Sequence, residues 1–190
     1  MTKITEEQVL RAQQGDDAAG RALVEGLQRP VIATVYRFLG PAYRSDVEDI
    51  AQEIFVKIFR ALRQFDANRA TFTTWVYTLV RSHCFDVVKK RRPPTTGAGD
   101  EGHDDDRAAG HALQANLDAE TSELGRRIGE ALSTLSEDQR MVFVLREYER
   151  LDYREIAAAT GVHEGTVKSR LARAKDSLRQ QLAPYLERGA

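Results

Sequence analysis

The chain is poor in cysteine: Cys84 is its only one in 190 residues. That excludes an internal disulfide and any metal site built from several thiolates. Long apolar runs are missing too, and no stretch approaches the roughly 20 residues that span a bilayer. The N-terminus, M-T-K-I-T-E-E-Q, places acids where a secretory signal has its apolar core. A cytoplasmic protein is expected. No P-loop, nucleophile elbow, metal-ligand cluster or dinucleotide glycine motif occurs, so no enzyme, cofactor or metal is expected. An excess of charge is also absent, because the formal net charge is −1. Near-neutral charge gives only weak nonspecific attraction to phosphates, so any nucleic-acid contact would need help from a larger partner. What remains is 42% hydrophobic and 30% charged residues, enough for one or two globular domains with real cores.

The most informative stretch runs from Tyr153 to Leu178. Ile156, Ala157 and Ala159 give a short helix a compact apolar side, and Gly161 can take the left-handed angles that end it. A second helix is predicted from about Glu164, with Val167, Leu171, Ala174 and Leu178 at helical spacing. Small Ala157, turn Gly161 and buried Val167 stand at the offsets of a helix-turn-helix. The face opposite Val167 carries Lys168, Ser169, Arg170, Arg173 and Lys175, the cationic surface that major-groove insertion requires. A helical hairpin with a solvated basic face is the plainer alternative.

Earlier in the chain, Thr5 caps a helix reaching Gln14, with Glu6 and Glu7 in its first turn. Gly15 breaks it. A second helix carries Ala19, Leu23, Val24 and Leu27; a third is expected after Pro30, ending at Gly40-Pro41. The strongest amphipathic helix spans Asp46 to Phe65, with Val47, Ile50, Ile54, Ile58 and Leu62 in one stripe. Asp46, Asp49 and Glu53 share another side, beside Glu48 and Gln52. The next helix runs from about Thr73 to Arg91, with Trp75, Leu79, Phe85 and Val88 expected in its core. Aromatics beside an arginine-rich helix are equally the parts of a single-strand stacking platform. His83 and Cys84, adjacent on this helix, point apart and are read as packing or surface.

The wording G-T-V-K-S-R-L-A-R-A-K, with A-L-S-T-L-S-E-D-Q-R upstream, resembles the C-terminal domain of the extracytoplasmic-function sigma factors of bacterial RNA polymerase, in the sigma-70 family. D-V-E-D-I-A-Q-E-I-F is similar to that family's polymerase-docking helix, and the segment with F-x-x-W-x-Y and D-x-x-K-K-R-R is similar to its −10 segment. The resemblance implies an all-α fold of two small helical domains, a sigma-2-like bundle and a sigma-4-like helix-turn-helix domain, joined by a flexible acidic linker. Expected boundaries are 1–92, 93–121 and 122–190.

By that match, Asp46, Glu48, Asp49, Gln52 and Glu53 bind core polymerase. Asn68, Arg69, Phe72, Thr73, Trp75, Tyr77, Arg81, Ser82, Asp86, Lys89, Arg91 and Arg92 take the melted −10 strand, whose captured base is flipped from the stack. Many family members have asparagine at the position of Ser82, which opens the identity of that base. Ser169, Ala172 and Arg173 are implied to read −35 bases, with Thr166, Lys168, Arg170 and Lys175 at phosphates or the groove edge. Arg173 has forked donors that match guanine O6 and N7. Glu164 reaches a cytosine amino group or caps its helix.

Implied partners are core RNA polymerase (clamp helices of the largest subunit, flap of the second-largest), promoter DNA and an anti-sigma factor. Between the halves, Pro93-Pro94 ends a helix, and glycine, aspartate and small residues prevail to about Thr121. Such a stretch buries too little surface to offset its ordering entropy, although apolar residues from Leu113 leave room for a short helix. His103 and His111 around Asp104, Asp105 and Asp106 lack the ordered backbone that a metal site needs. The family's linker threads the polymerase cleft, and Asp100 to Asp106 are implied to mimic a nucleic-acid backbone there. A free-standing helix-turn-helix regulator is the alternative function. It leaves the acidic docking face and the basic aromatic segment without a role.

Overall fold

The computed structural model describes residues 4–91 and 123–186, and every regular element among them is helical. Helix α1 (Glu6–Gln13) opens on a reciprocal cap in which Thr5 Oγ1 accepts from the Gln8 amide at 3.2 Å and the Gln8 side chain accepts from the Thr5 amide at 2.9 Å. Helix α2 (Asp17–Leu39) starts where Asp16 Oδ1 accepts from the amides of Ala18 and Ala19. At its end Gly40 has φ +84° and ψ −179°, a conformation essentially closed to L side chains. This glycine turns the chain into a short 3-10 segment, Pro41–Asp46, and then α3 (Val47–Ala61). Helix α4 (Phe72–Arg91) completes the N-terminal half.

The C-terminal half contains α5 (Glu123–Thr134), α6 (Glu137–Glu147), α7 (Tyr153–Thr160) and α8 (Glu164–Leu186). Ser136 with Gln139, and Asp152 with Glu155, form the reciprocal caps of α6 and α7. Gly161 ends α7 at φ +70°, and the amides of Gly161 and Val162 both bond the Ala157 carbonyl.

Two expectations are corrected. The helices predicted on either side of Pro30 are one continuous helix, α2. A mid-helix proline costs about 3 kcal/mol. Leu23, Leu27, Val31, Ile32, Val35 and Phe38 are buried through the break; at about 1.5–3 kcal/mol for each fully buried side chain, this stripe outweighs it. The core face of α4 also differs from expectation. Trp75, Leu79, Phe85 and Val88 are only partly buried, whereas Thr74, Val76, Tyr77, Val80, His83 and Cys84 are buried. Val76, Val80 and Cys84 recur every four residues and enter the core with Ile54, Ile58, Val31 and Val35. Tyr77 and Thr74 lie on the neighbouring face, against the C-terminal half.

That face exists because the two halves are packed on one another. Helix α4 lies along α7, and α2 touches α5 and α6. One apolar cluster runs from Val35 and Phe38 through Val80 to Met141, Val142, Leu145, Ile156 and Val167. A second joins α5 to α8 through Ala131, Leu132, Leu135, Ala174 and Leu178. A third sits under α1, where Val9, Leu23 and Leu62 meet Phe65, Phe72 and Trp75.

Burial pushes the Cys84 thiol up to about 12. Since the thiolate is the reactive form, Cys84 is expected to resist an aromatic disulfide reagent at neutral pH and to react at the rate of unfolding. Rapid, stoichiometric release of the coloured thiol from the native protein would contradict this placement.

Candidate nucleic-acid interface

In the helix-turn-helix, α8 is anchored by Val167, Leu171, Ala174 and Leu178, all buried. Its opposite face turns Lys168, Ser169, Ala172, Arg173 and Lys175 outward. Residues three and four apart share a helix face, so Ser169, Ala172 and Arg173 form one continuous exposed patch. Not every cation of α8 is equally available. Arg170 is tied to Asp138 at 2.6 Å and half-buried, and Lys175 lies 2.9 Å from Glu147. Thr166 is half-buried and its carbonyl accepts from the Ser169 hydroxyl. Lys168 stands over the Tyr153 ring at 5.5 Å.

The acidic side of α3 is only partly free. Asp49, Gln52 and Glu53 are exposed on one face, while Glu48 is half-buried. Asp46 pairs with Arg91 at 2.7 Å, and the Arg91 guanidinium also covers the Tyr43 ring. A docking candidate and a DNA candidate therefore hold each other. One Glu53 oxygen is 3.1 Å from His83 Nε2, without the alignment of a hydrogen bond. Burial, with Lys57 acting in the same direction, lowers the His83 pKa, so this imidazole is neutral at neutral pH.

Candidates for the −10 strand separate into three environments. Asn68 and Arg69 lie exposed on the loop before α4, which Asp66 organises: its Oδ1 accepts from the Asn68 amide and side chain, both at 2.9 Å. Phe72 and Trp75 stack at 5.7 Å and pack with Phe65, so the tryptophan is part of a small core while keeping an edge in solvent. Thr73 is half-buried beside them. Ser82, Asp86 and Lys89 are exposed along α4, with Asp86 3.8 Å from Lys57, and Arg81 covers the Phe85 ring at 4.6 Å. Arg92 and the acids of 100–106 lie outside the described residues.

Tyr77 is the exception: it is 2% exposed and faces the other half of the chain. Its hydroxyl donates to Glu149, a residue with no role in the sequence reading. Burial first, and the Glu149 charge second, hold the phenol well above its usual pKa, so it stays a donor. The Glu149 side chain is 4% exposed; it also accepts from Thr34 Oγ1 at 2.8 Å and lies 4.0 Å from Arg37. Arg140, likewise unassigned from sequence, donates to the Phe38 carbonyl at 2.7 Å and to carbonyls of Ser133 and Leu135. In R-E-Y-E-R and E-D-Q-R both look like solvated charges, and no periodicity marks them.

Among the described residues no cluster of His, Cys, Asp or Glu could hold a metal ion, and no helix is long and apolar enough to cross a membrane.

Comparison with known proteins places these elements. The profile described as Sigma-70 region 2 matches residues 23–93, and that described as Sigma-70, region 4 matches residues 125–178. The chain is 34% identical to the ECF RNA polymerase sigma-E factor of Escherichia coli over 99% of its own length and 100% of the relative's. It is 32% identical to the RNA polymerase sigma-H factor of Pseudomonas aeruginosa over 96% of its own length and 98% of the relative's. Its fold is similar to that of CnrH in complex with the cytosolic domain of CnrY, at TM-score 0.70 and 23% identity over 96% of this chain and 99% of that one. A similar fold occurs in the sigma factor RpoE bound to the anti-sigma factor NepR from Bartonella quintana, at TM-score 0.65 and 20% identity over 86% and 96% of the two chains. With both sigma-70 regions present in order and relatives matched along their full length, the chain belongs to the ECF sigma factors of the sigma-70 family, non-enzymatic factors of transcription initiation.

Proposed function

We propose that this cytoplasmic factor mounts on core RNA polymerase through Asp46, Glu48, Asp49, Gln52 and Glu53, reads a −35 element with α8 and captures a melted −10 strand with α4. The observation that carries this reading is the exposed Ser169, Ala172 and Arg173 patch, raised on a buried apolar stripe at the end of a helix-turn-helix. Arg173 is 4 residues beyond Ser169 on the same face, and its planar fork suits a guanine edge. Thr166, Lys168, Arg170 and Lys175 serve phosphates and the groove edge, where charge sets register without specifying sequence. Arg170 and Lys175 exchange their carboxylate partners for phosphates when DNA binds.

On α4, Ser82, Asp86, Lys89, Arg91 and Arg92 follow the strand, with Arg81 beside Phe85. Asn68, Arg69, Phe72, Thr73, Trp75 and Tyr77 form the pocket side. Extraction of a base costs a few kcal/mol of stacking, which the pocket has to repay. Boundaries at 1–92, 93–121 and 122–190 suit this division. Fully extended, the linker reaches at most about 100 Å, long enough for its two modules to sit on separated elements. The acids from Asp100 to Asp106 occupy the polymerase cleft, where they stand in for a nucleic-acid backbone. The flap of the second-largest subunit holds the C-terminal module. Since the structural relatives of similar fold include a factor bound to an anti-sigma factor, an anti-sigma factor is proposed as the inhibitor of this chain too.

Run-off transcription with purified core polymerase on a library of candidate promoters tests the function, with transcripts starting at a fixed distance from two common elements as the expected result. Specific binding to a palindromic operator without polymerase would overturn it. Replacing Asp49 and Glu53 by lysine is expected to abolish association with core polymerase in a pull-down while leaving the helix content unchanged. Arg173→Ala is expected to cost about 1–3 kcal/mol at one promoter position, whereas Lys168→Ala weakens binding evenly across sequences. Competition binding to single-base promoter variants separates the two behaviours.

A further inference from the structure

We propose that Glu149 is an interdomain latch that keeps the free chain closed, with Tyr77 and Thr74 of the −10 helix masked until the two halves separate. This rests on the sigma-factor reading above and concerns how that activity is held back.

Among the described residues, the side-chain ties of Glu149 cross from one half to the other: Tyr77 on α4, Thr34 and Arg37 on α2. A carboxylate with a 4% exposed side chain is tolerable only with such partners, because an unpaired buried charge is strongly unfavourable. Its position is fixed from its own side. Arg146 donates to the Leu151 carbonyl at 2.8 Å, and Arg150 takes a left-handed φ of 61°, closing the turn that presents Glu149. Arg140 adds a second strap by reaching the Phe38 carbonyl at the end of α2. Thr74 Oγ1 makes a third, longer contact to Glu155 of α7 at 3.5 Å.

Closure is incompatible with reading two separated elements. A compact chain of 190 residues is about 40 Å across. Elements centred near −35 and −10 are about 25 base pairs apart, or about 85 Å of B-form duplex. The two modules therefore have to part before both can be engaged. The boundary suits reversible parting: alongside its apolar surface it contains a carboxylate, hydroxyls and guanidinium groups that water satisfies once they are exposed.

Glu149→Ala removes the shared acceptor while sparing each half, since its side-chain partners lie across the boundary. Small-angle scattering of the full-length free protein is expected to give a larger radius of gyration than the wild type. Apparent affinity for core polymerase is expected to rise about tenfold or more, because the competent open state no longer competes with closure. Thr34→Val, close in shape but without the donor, should shift both readouts the same way by less. Circular dichroism establishes that helix content is retained. An unchanged radius in both variants, or expansion without a gain in core affinity, overturns the latch. If neither wild type nor variant binds core polymerase, the sigma-factor reading fails, and the scattering still decides whether Glu149 closes the chain.

Discussion

Helix α4 is buried from two sides, and the rest of the structure follows from that. Its Val76, Val80 and Cys84 face is covered by the N-terminal half, while its Tyr77 and Thr74 face is covered by the C-terminal half. The second burial brings hydroxyls into a region with little water, and hydroxyls there need partners. Glu149 supplies one for Tyr77 from the other half, while Thr74 Oγ1 lies 2.8 Å from Thr71 Oγ1 and 3.5 Å from Glu155. On and just before α4, Asn68, Arg69, Ser82, Asp86 and Lys89 stay in solvent.

The surfaces of the two halves are made on a common plan. A buried apolar stripe fixes the helix, and the opposite face is left exposed. On α3 that stripe is Val47, Ile50, Ile54 and Ile58, continued by Leu62 just beyond the helix; on α8 it is Val167, Leu171, Ala174 and Leu178. Several charges on the outward faces are already neutralised within the chain, as Asp46 with Arg91, Arg170 with Asp138 and Lys175 with Glu147. Pairs that keep this much contact with solvent contribute only about 0–1 kcal/mol each, so competing charges can displace them at small cost. With a net charge of −1, such internal pairing also limits nonspecific attachment to DNA.

Much of this was legible in the sequence. The cap at Thr5, the stop at Gly40 and the left-handed turn at Gly161 are local chemistry, decided by a residue and the backbone within four positions of it. The α3 and α8 stripes were equally legible, since helical spacing and burial in one's own half give the same answer. Pro30 misled because its local penalty is visible in sequence, whereas the buried stripe that outweighs it is a tertiary property. Phe85 misled because size suggested the core, while the smaller Val76, Val80 and Cys84 fill the tight space between helices.

The sequence by itself determined most of the helices, their caps, the exposed basic face of α8 and the family. Only the tertiary structure decided that the halves close on each other, that Tyr77 faces inward, and that Glu149 and Arg140 are contacts across the boundary. The physical reason is range. A cap or an apolar stripe is set by neighbours a few residues away, whereas Glu149 is 115 residues from Thr34 and 72 from Tyr77. Its burial depends on surfaces that distant parts of the chain contribute together.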